Sequence, residues 1–176
     1  EALADARFDT HLFDIIVICR VLEHVQQVDA VLAQAVRHLN PGGLLLVAVP
    51  NFESVEQQHA FGRHWFHLDL PRHLAHIESG WLQQRMHGAG LKPEVVFHLD
   101  LLQNIYGFIQ SVLNVMSLRR PNELYDLLKA GTRAEPVRLS ASLLAAALVA
   151  PIALLESALG MLWRRGATVS VIARQT

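Results

Sequence analysis

Phe13-Asp14-Ile15-Ile16-Val17-Ile18-Cys19 decides the fold: a short run of β-branched apolar residues after a polar turn. Apolar at successive rather than alternate positions, it has the pattern of a strand buried on both faces of a parallel sheet, so a central strand is expected here. Downstream, apolar residues at 28, 31, 32, 35, 36 and 39 recur at helical spacing, and Asn40-Pro41-Gly42-Gly43 reads as the stop of that helix. A second continuous apolar run follows at 44–49. Strand, helix, glycine turn and strand make a right-handed crossover unit, which predicts two parallel neighbours covered by the helix.

Pro50-Asn51 ends the second strand at its carboxyl end, where open α/β sheets bind their ligands. A polar, histidine-rich connection runs from there to about Ile77. Ser79 is placed to cap a helix over 80–87, Gly88-Ala89-Gly90 to end it, and 92–98 to form the next strand. Residues 167–173 read as a last strand. Between these two strands lies an insertion over 99–165, too long for an ordinary loop. It holds two apolar segments, 101–118 and 139–163, and Glu156 is the only charge in the second.

At 176 residues and 52% hydrophobic content the chain can bury a core, as one domain with an appended segment. Its 15 basic and 16 acidic residues are spread without a one-sided basic stripe, which argues against nucleic acid as a partner. The single cysteine, Cys19, sits in an apolar run; this excludes a disulfide scaffold, favours a cytoplasmic setting and makes the thiol a core group rather than a nucleophile. Nothing near Glu1 reads as a secretory signal, and a start without Met is the expectation for a partial chain.

Four features in order resemble one family: Phe13-Asp14 opening a strand, Val21-Leu22-Glu23-His24-Val25 just after it, Leu39-Asn40-Pro41-Gly42-Gly43 before the next, and Ala89-Gly90-Leu91 leading into a third. Together with Gly166-Ala167-Thr168-Val169-Ser170-Val171-Ile172-Ala173-Arg174 they are similar to class I S-adenosylmethionine-dependent methyltransferases, particularly the ubiquinone-biosynthesis type of O-methyltransferase. The resemblance implies an α/β, Rossmann-like methyltransferase sheet of which 1–98 and 166–176 supply the C-terminal part, strands four to seven, with 99–165 as a helical insertion before the last strand. It also implies S-adenosylmethionine as cofactor, with Cys19, Arg20 and Val21 beside its methionine end and His24 nearby. On the alternative reading, Leu22 and Val25 are core and Glu23 and His24 cap local structure. The glycine-rich loop after strand one and the acidic residue after strand two have no counterpart here. They are expected upstream of Glu1, in a native protein longer by about one hundred residues, so that this chain alone would be inactive.

Five of the ten histidines lie between 59 and 76. Metal binding through His64, His67, Asp69, His73 and His76 is one reading, but the spacing fits no zinc pattern and lacks thiolates, so no metal site is expected. Catalysis is a second: methyl transfer to oxygen needs a base to take the hydroxyl proton, and histidine titrates in the right range. In the resembling family this segment lies over the pocket, which makes His67, Asp69 and His73 the catalytic candidates and Trp65 and Arg72 the substrate-binding ones. The third reading is structural, with Trp65, Phe66 and Leu68 packing the loop down.

Residues 143–155 are apolar apart from Pro151, fewer than the roughly twenty that a spanning helix needs. The readings for 139–165 are a packed helix or homodimer contact, a peripheral membrane or lipid contact held by Trp163, Arg164 and Arg165, or a spanning segment. The expected function is methyl transfer to a small-molecule acceptor, lipid-linked or amphiphilic, at oxygen. The alternative is a non-catalytic methyltransferase-like domain that binds a membrane or a partner.

Overall fold

The computed structural model describes residues 12–116, 121–133 and 135–176. They divide into two compact units. The first comprises the residues through Phe52 with Leu70–Phe97 and Val169–Thr176; the second comprises Glu53–Asp69 and His98–Thr168.

The first unit is built on a four-stranded sheet in the order β1-β2-β4-β3, with β1 at Phe13–Cys19, β2 at Leu39–Pro50, β3 at Leu91–Phe97 and β4 at Thr168–Gln175. β1 and β2 are parallel, from Ile15 opposite Leu44 to Cys19 opposite Ala48, as the crossover requires. The connecting helix α1, Val28–Arg37, buries Val28, Val31, Leu32 and Ala35 at the predicted helical spacing. Helix α2, Ser79–Gly88, adds Leu82 and Met86 to a core shared with Leu45, Val47 and Leu91. β3 runs antiparallel to β4, with Phe97 opposite Ser170.

Several boundaries differ from expectation for physical reasons. Asn40-Pro41-Gly42-Gly43 is not a helix stop; β2 already begins at Leu39 and takes these residues in as an irregularity where the register slips between Phe13 and Ile15. Gly42 has φ +76°, and a Cβ on Gly43 would lie 2.8 Å from the Asn40 carbonyl and 3.1 Å from that of Asp14, so the bulge needs both glycines. The Asn40 amide donates to the Asp14 carboxylate at 2.8 Å and holds the slip in place. Ser79 is not the cap but the first residue of α2, after Glu78, and its hydroxyl accepts from Gln83. β1 is not central among the described strands: it pairs with β2 at the end of the order, and Ile15 and Val17 are 61% and 59% exposed. Cys19 is likewise exposed rather than core.

The second unit packs α3 (Leu101–Met116), α4 (Glu123–Ala130) and α5 (Pro136–Leu162) with the turns of Glu53–Asp69. Residues 117 and 118, predicted to end the first apolar segment, lie outside the described residues. α3 turns polar residues inward. Asn104 donates to the His98 carbonyl and accepts from the Thr168 hydroxyl, Gln110 donates to Asn114 and accepts from the Tyr125 amide, and Ser111 accepts from the Phe66 amide. Each of these groups is buried and satisfied, as polar burial requires.

Candidate functional site

At the carboxyl end of β1 the chain must turn before α1, and it does so at Arg20, whose φ of +57° is the left-handed region. The Arg20 N–H donates to the Ala48 carbonyl at 2.9 Å, one last rung on β2. A 3-10 turn, Leu22–His24, follows and buries Leu22 and Glu23. Its backbone is pinned from the histidine-rich segment, since the Leu74 and Ala75 N–H groups donate to the Glu23 carbonyl at 2.7 and 3.1 Å. His24 Nδ1 donates to the Arg72 carbonyl at 3.0 Å, and the His24 and His73 rings meet edge to face at 4.8 Å.

Within the first unit, therefore, Cys19, Arg20, Val21 and His24 form one turn and the backbone of Arg72–Ala75 is bound to it. The exposed Cys19 and the turned backbone at Arg20 offer small groups to solvent at the carboxyl end of a strand, where open α/β sheets bind ligands. Glu23 lies beneath, its carboxyl raised above the usual range by desolvation against the partial opposition of its own backbone and of Arg20 and His24. Its Oε2 has no hydrogen-bond partner. One ligand atom each from Glu23, His24 and His73 lies within 4.8 Å of the others, a two-imidazole, one-carboxylate set of the kind that suits iron or zinc. Linear spacing within the loop pointed away from metal because two of these three residues lie about fifty positions upstream, on the β1 turn.

Trp65, His67 and Asp69 belong instead to the second unit. Trp65 is buried and donates its indole N–H to Glu56 Oε2 at 3.0 Å. His67 is buried at 4% exposure with its Nε2 3.2 Å from the Gln103 carbonyl, and Gly107 leaves the space it occupies, since a Cβ there would fall 2.2 Å from that nitrogen. Asp69 closes the turn in the left-handed region, φ +37°. The sequence-predicted residues thus fall into two groups, His24 with Arg72 and His73 in one unit and Trp65 with His67 and Asp69 in the other.

Sequence reasoning passed over Glu56. Desolvation pushes its carboxyl well above the normal range, and the neighbouring Glu156 adds to the shift. Glu156 is raised too, again chiefly by desolvation. Two facing carboxyls, Glu56 buried and Glu156 half-buried, resist ionising together and favour a proton shared between them. The available signal was Glu156 as the lone charge in an apolar run. Its side chain also lines a crevice of about 290 Å³ with Val55, Phe108, Ile152, Leu155 and Trp163.

A family model described as a methyltransferase domain matches residues 2–96, which cover β1, α1, β2, the β1 turn and most of β3. The chain belongs to the methyltransferase-domain family. Curated proteins provide no match. Solved structures do: a methyltransferase from Thermotoga maritima proposed to act on histamine nitrogen is 15% identical over all of this chain and 62% of its own, with a TM-score of 0.54. A protein from Galdieria sulphuraria, proposed to be a sarcosine dimethylglycine methyltransferase, is 12% identical over all of this chain and 58% of its own, TM-score 0.55. The [4+2]-cyclase SpnF is 14% identical over 99% of this chain and 54% of its own, TM-score 0.52. This methyltransferase domain therefore spans about three-fifths of the length of the solved chains it matches, and at these identities the likeness is one of fold.

Proposed function

We propose that the protein containing this chain transfers a methyl group from S-adenosylmethionine to oxygen on a small-molecule acceptor, lipid-linked or amphiphilic, in the cytoplasm. The observation that carries the reading is the turn at the carboxyl end of β1, inside the family-matched residues, where a nucleoside ligand of an open α/β sheet binds. The cofactor supplies a methyl carbon on a sulfonium, already electrophilic. Cys19, Arg20, Val21 and His24 would line its methionine end. What remains for the protein is to hold the acceptor hydroxyl in line and take its proton. Of the catalytic candidates His73 is favoured, because its ring stands against His24 on that turn; His67 and Asp69 remain alternatives, with Trp65 and Arg72 as acceptor contacts.

The rival reading, a non-catalytic methyltransferase-like module that binds a membrane or a partner, is favoured by the exposed apolar surface of α5. Calorimetric titration of the full chain with S-adenosylhomocysteine separates the two. Saturable binding that weakens on substitution at Cys19 or His24 is expected. Absence of binding by the full-length protein would leave the rival standing.

A further inference from the structure

Helices in water bury large apolar side chains and expose polar ones. Two helices of the second unit depart from this, although Ile109 and Leu124 still form a small core there. On α5 the side turned inward is small, with Ala146, Ala150, Ala153, Ser157 and Gly160 at helical spacing, while Leu144, Leu148, Ile152, Leu155 and Leu162 stand outward. Leu148 is 72% exposed and Leu155 61%. α3 shows the pattern in part: Asn104, Gln110, Ser111 and Asn114 are buried alongside Ile109, while Leu102 and Met116 are 83% and 69% exposed. Small residues between helices and large ones outside are the packing of helices whose solvent is hydrocarbon.

The charges agree. From Leu139 to Trp163 the only ionisable side chain is Glu156, half-buried with its Oε2 shut away from solvent, so the outward arc of α5 carries none. A protein partner in water would meet a polar rim around such a patch; here the arc runs uninterrupted along the helix. Its C-terminal end carries exposed Trp163, Arg164 and Arg165, while at its N-terminal end exposed Lys129 and Arg133 are mixed with exposed Glu135. Aromatic and basic groups at the C-terminal end of an apolar arc match the headgroup layer of an anionic bilayer.

By length and composition α5, at 27 residues, could cross a membrane. Connectivity argues otherwise. The chain leaves β3 at Phe97 and returns to β4 opposite it at Ser170, so both ends of the intervening segment lie on one side of any bilayer. A crossing would carry the charged α4 and the Arg138 pair with Glu123 through hydrocarbon, with α3, at 16 residues or roughly 24 Å, as the only return path.

From these observations the geometry points to a lipid bilayer surface as the partner of the second unit, with α5 lying in the interface plane, its leucine arc in the acyl boundary and its basic C-terminal end among anionic headgroups. This deepens the reading of an amphiphilic acceptor, and it is tested without cofactor or acceptor so that the two fail separately.

The test is flotation of the full chain with vesicles of phosphatidylcholine containing phosphatidylglycerol. The chain is expected to float, and to float less on phosphatidylcholine alone. Leu144→Glu with Leu148→Glu should lower partitioning about tenfold for each substitution, with an unchanged melting curve because both side chains are mostly exposed and neither lines the crevice beside Glu156. Arg164→Gln with Arg165→Gln should remove the preference for anionic vesicles and leave the residual binding intact. Wild-type chain that stays at the bottom of the gradient overturns the proposal, as does a leucine variant that floats undiminished. A lipid-free dimer that the leucine variant dissociates, without flotation, would assign the arc to a second copy. Retention on vesicles through an alkaline carbonate wash would make α5 a spanning segment and overturn the surface placement.

Discussion

Replacing Gly107 by Ala should destabilise the second unit although it improves the helix. In an exposed helix the change gains about 1 kcal/mol, because Ala loses less backbone freedom than Gly. Here the added Cβ would stand 2.2 Å from His67 Nε2, 3.0 Å from Cδ2 and 3.1 Å from Cε1, so the whole ring face must retreat. The ring has nowhere to go: it lies edge to face with Trp65 at 5.4 Å and Phe66 at 5.2 Å, and its Nε2 faces the Gln103 carbonyl. Overpacking costs about 1–3 kcal/mol and losing a buried hydrogen bond about 1 kcal/mol more, so the net expectation is roughly 2 kcal/mol of destabilisation. For a chain of this size that is a fall of about 4–8 °C in melting temperature. Trp65 fluorescence, in a background with Trp81 and Trp163 replaced by Phe, reports on the right unit during urea unfolding. The decisive arm is the double variant: in His67→Ala the ring is gone, and Gly107→Ala should then be neutral or stabilising by up to about 1 kcal/mol. If Gly107→Ala stabilises the otherwise wild-type chain, or costs the same in both backgrounds, the ring does not fill the space the glycine leaves.

The buried carboxyl pair predicts a pH dependence. With the Glu56 and Glu156 carboxyls raised in the fold, the native state holds more protons than the unfolded chain above the ordinary value of 4.5, so stability falls as pH rises from there through the raised values. Glu56→Gln keeps an acceptor for Trp65 and should flatten that fall and stabilise the chain at pH 8; an unchanged slope of unfolding free energy against pH would refute it. Asn104→Ala strands the His98 carbonyl and the Thr168 hydroxyl in a buried site and should cost about 1–3 kcal/mol by denaturant titration; a loss under about 0.5 kcal/mol, the range of inert surface changes, would count against the network. On the proposed methyl transfer, His73→Ala should lower turnover by about a hundredfold or more, the range for a lost general base, while His67→Ala should lower stability more than turnover; the reverse ranking would move the base into the second unit.

The crossover unit was legible because its main signals agreed: continuous apolar runs at 13–19 and 44–49 with helical spacing between them. What the glycine-rich junction did was less so. Gly42 and Gly43 serve a helix end and a strand bulge equally well, and only the pairing of Asp14 with Asn40 settles which. The exposure of β1 was hidden because hydropathy reports what a strand can bury, not which neighbour is present to bury it. For the loop histidines, proximity along the chain suggested one cluster where the fold makes two, divided after Asp69. Glu56 and Glu156 lie a hundred positions apart, and nothing local tells a buried acid from a solvated one.

The pairing of Phe97 with Ser170 leaves residues 98–169 hanging from the two ends of one rung of the ladder, about 5 Å apart. A segment anchored in that way behaves as a cartridge: it can lengthen, shorten or change its chemistry while the strands on either side keep their register. Glu53–Asp69 rides with it, so the loop that follows β2 is committed to whatever the cartridge becomes. Surface preference and loop chemistry are then inherited together, on a sheet that need not notice.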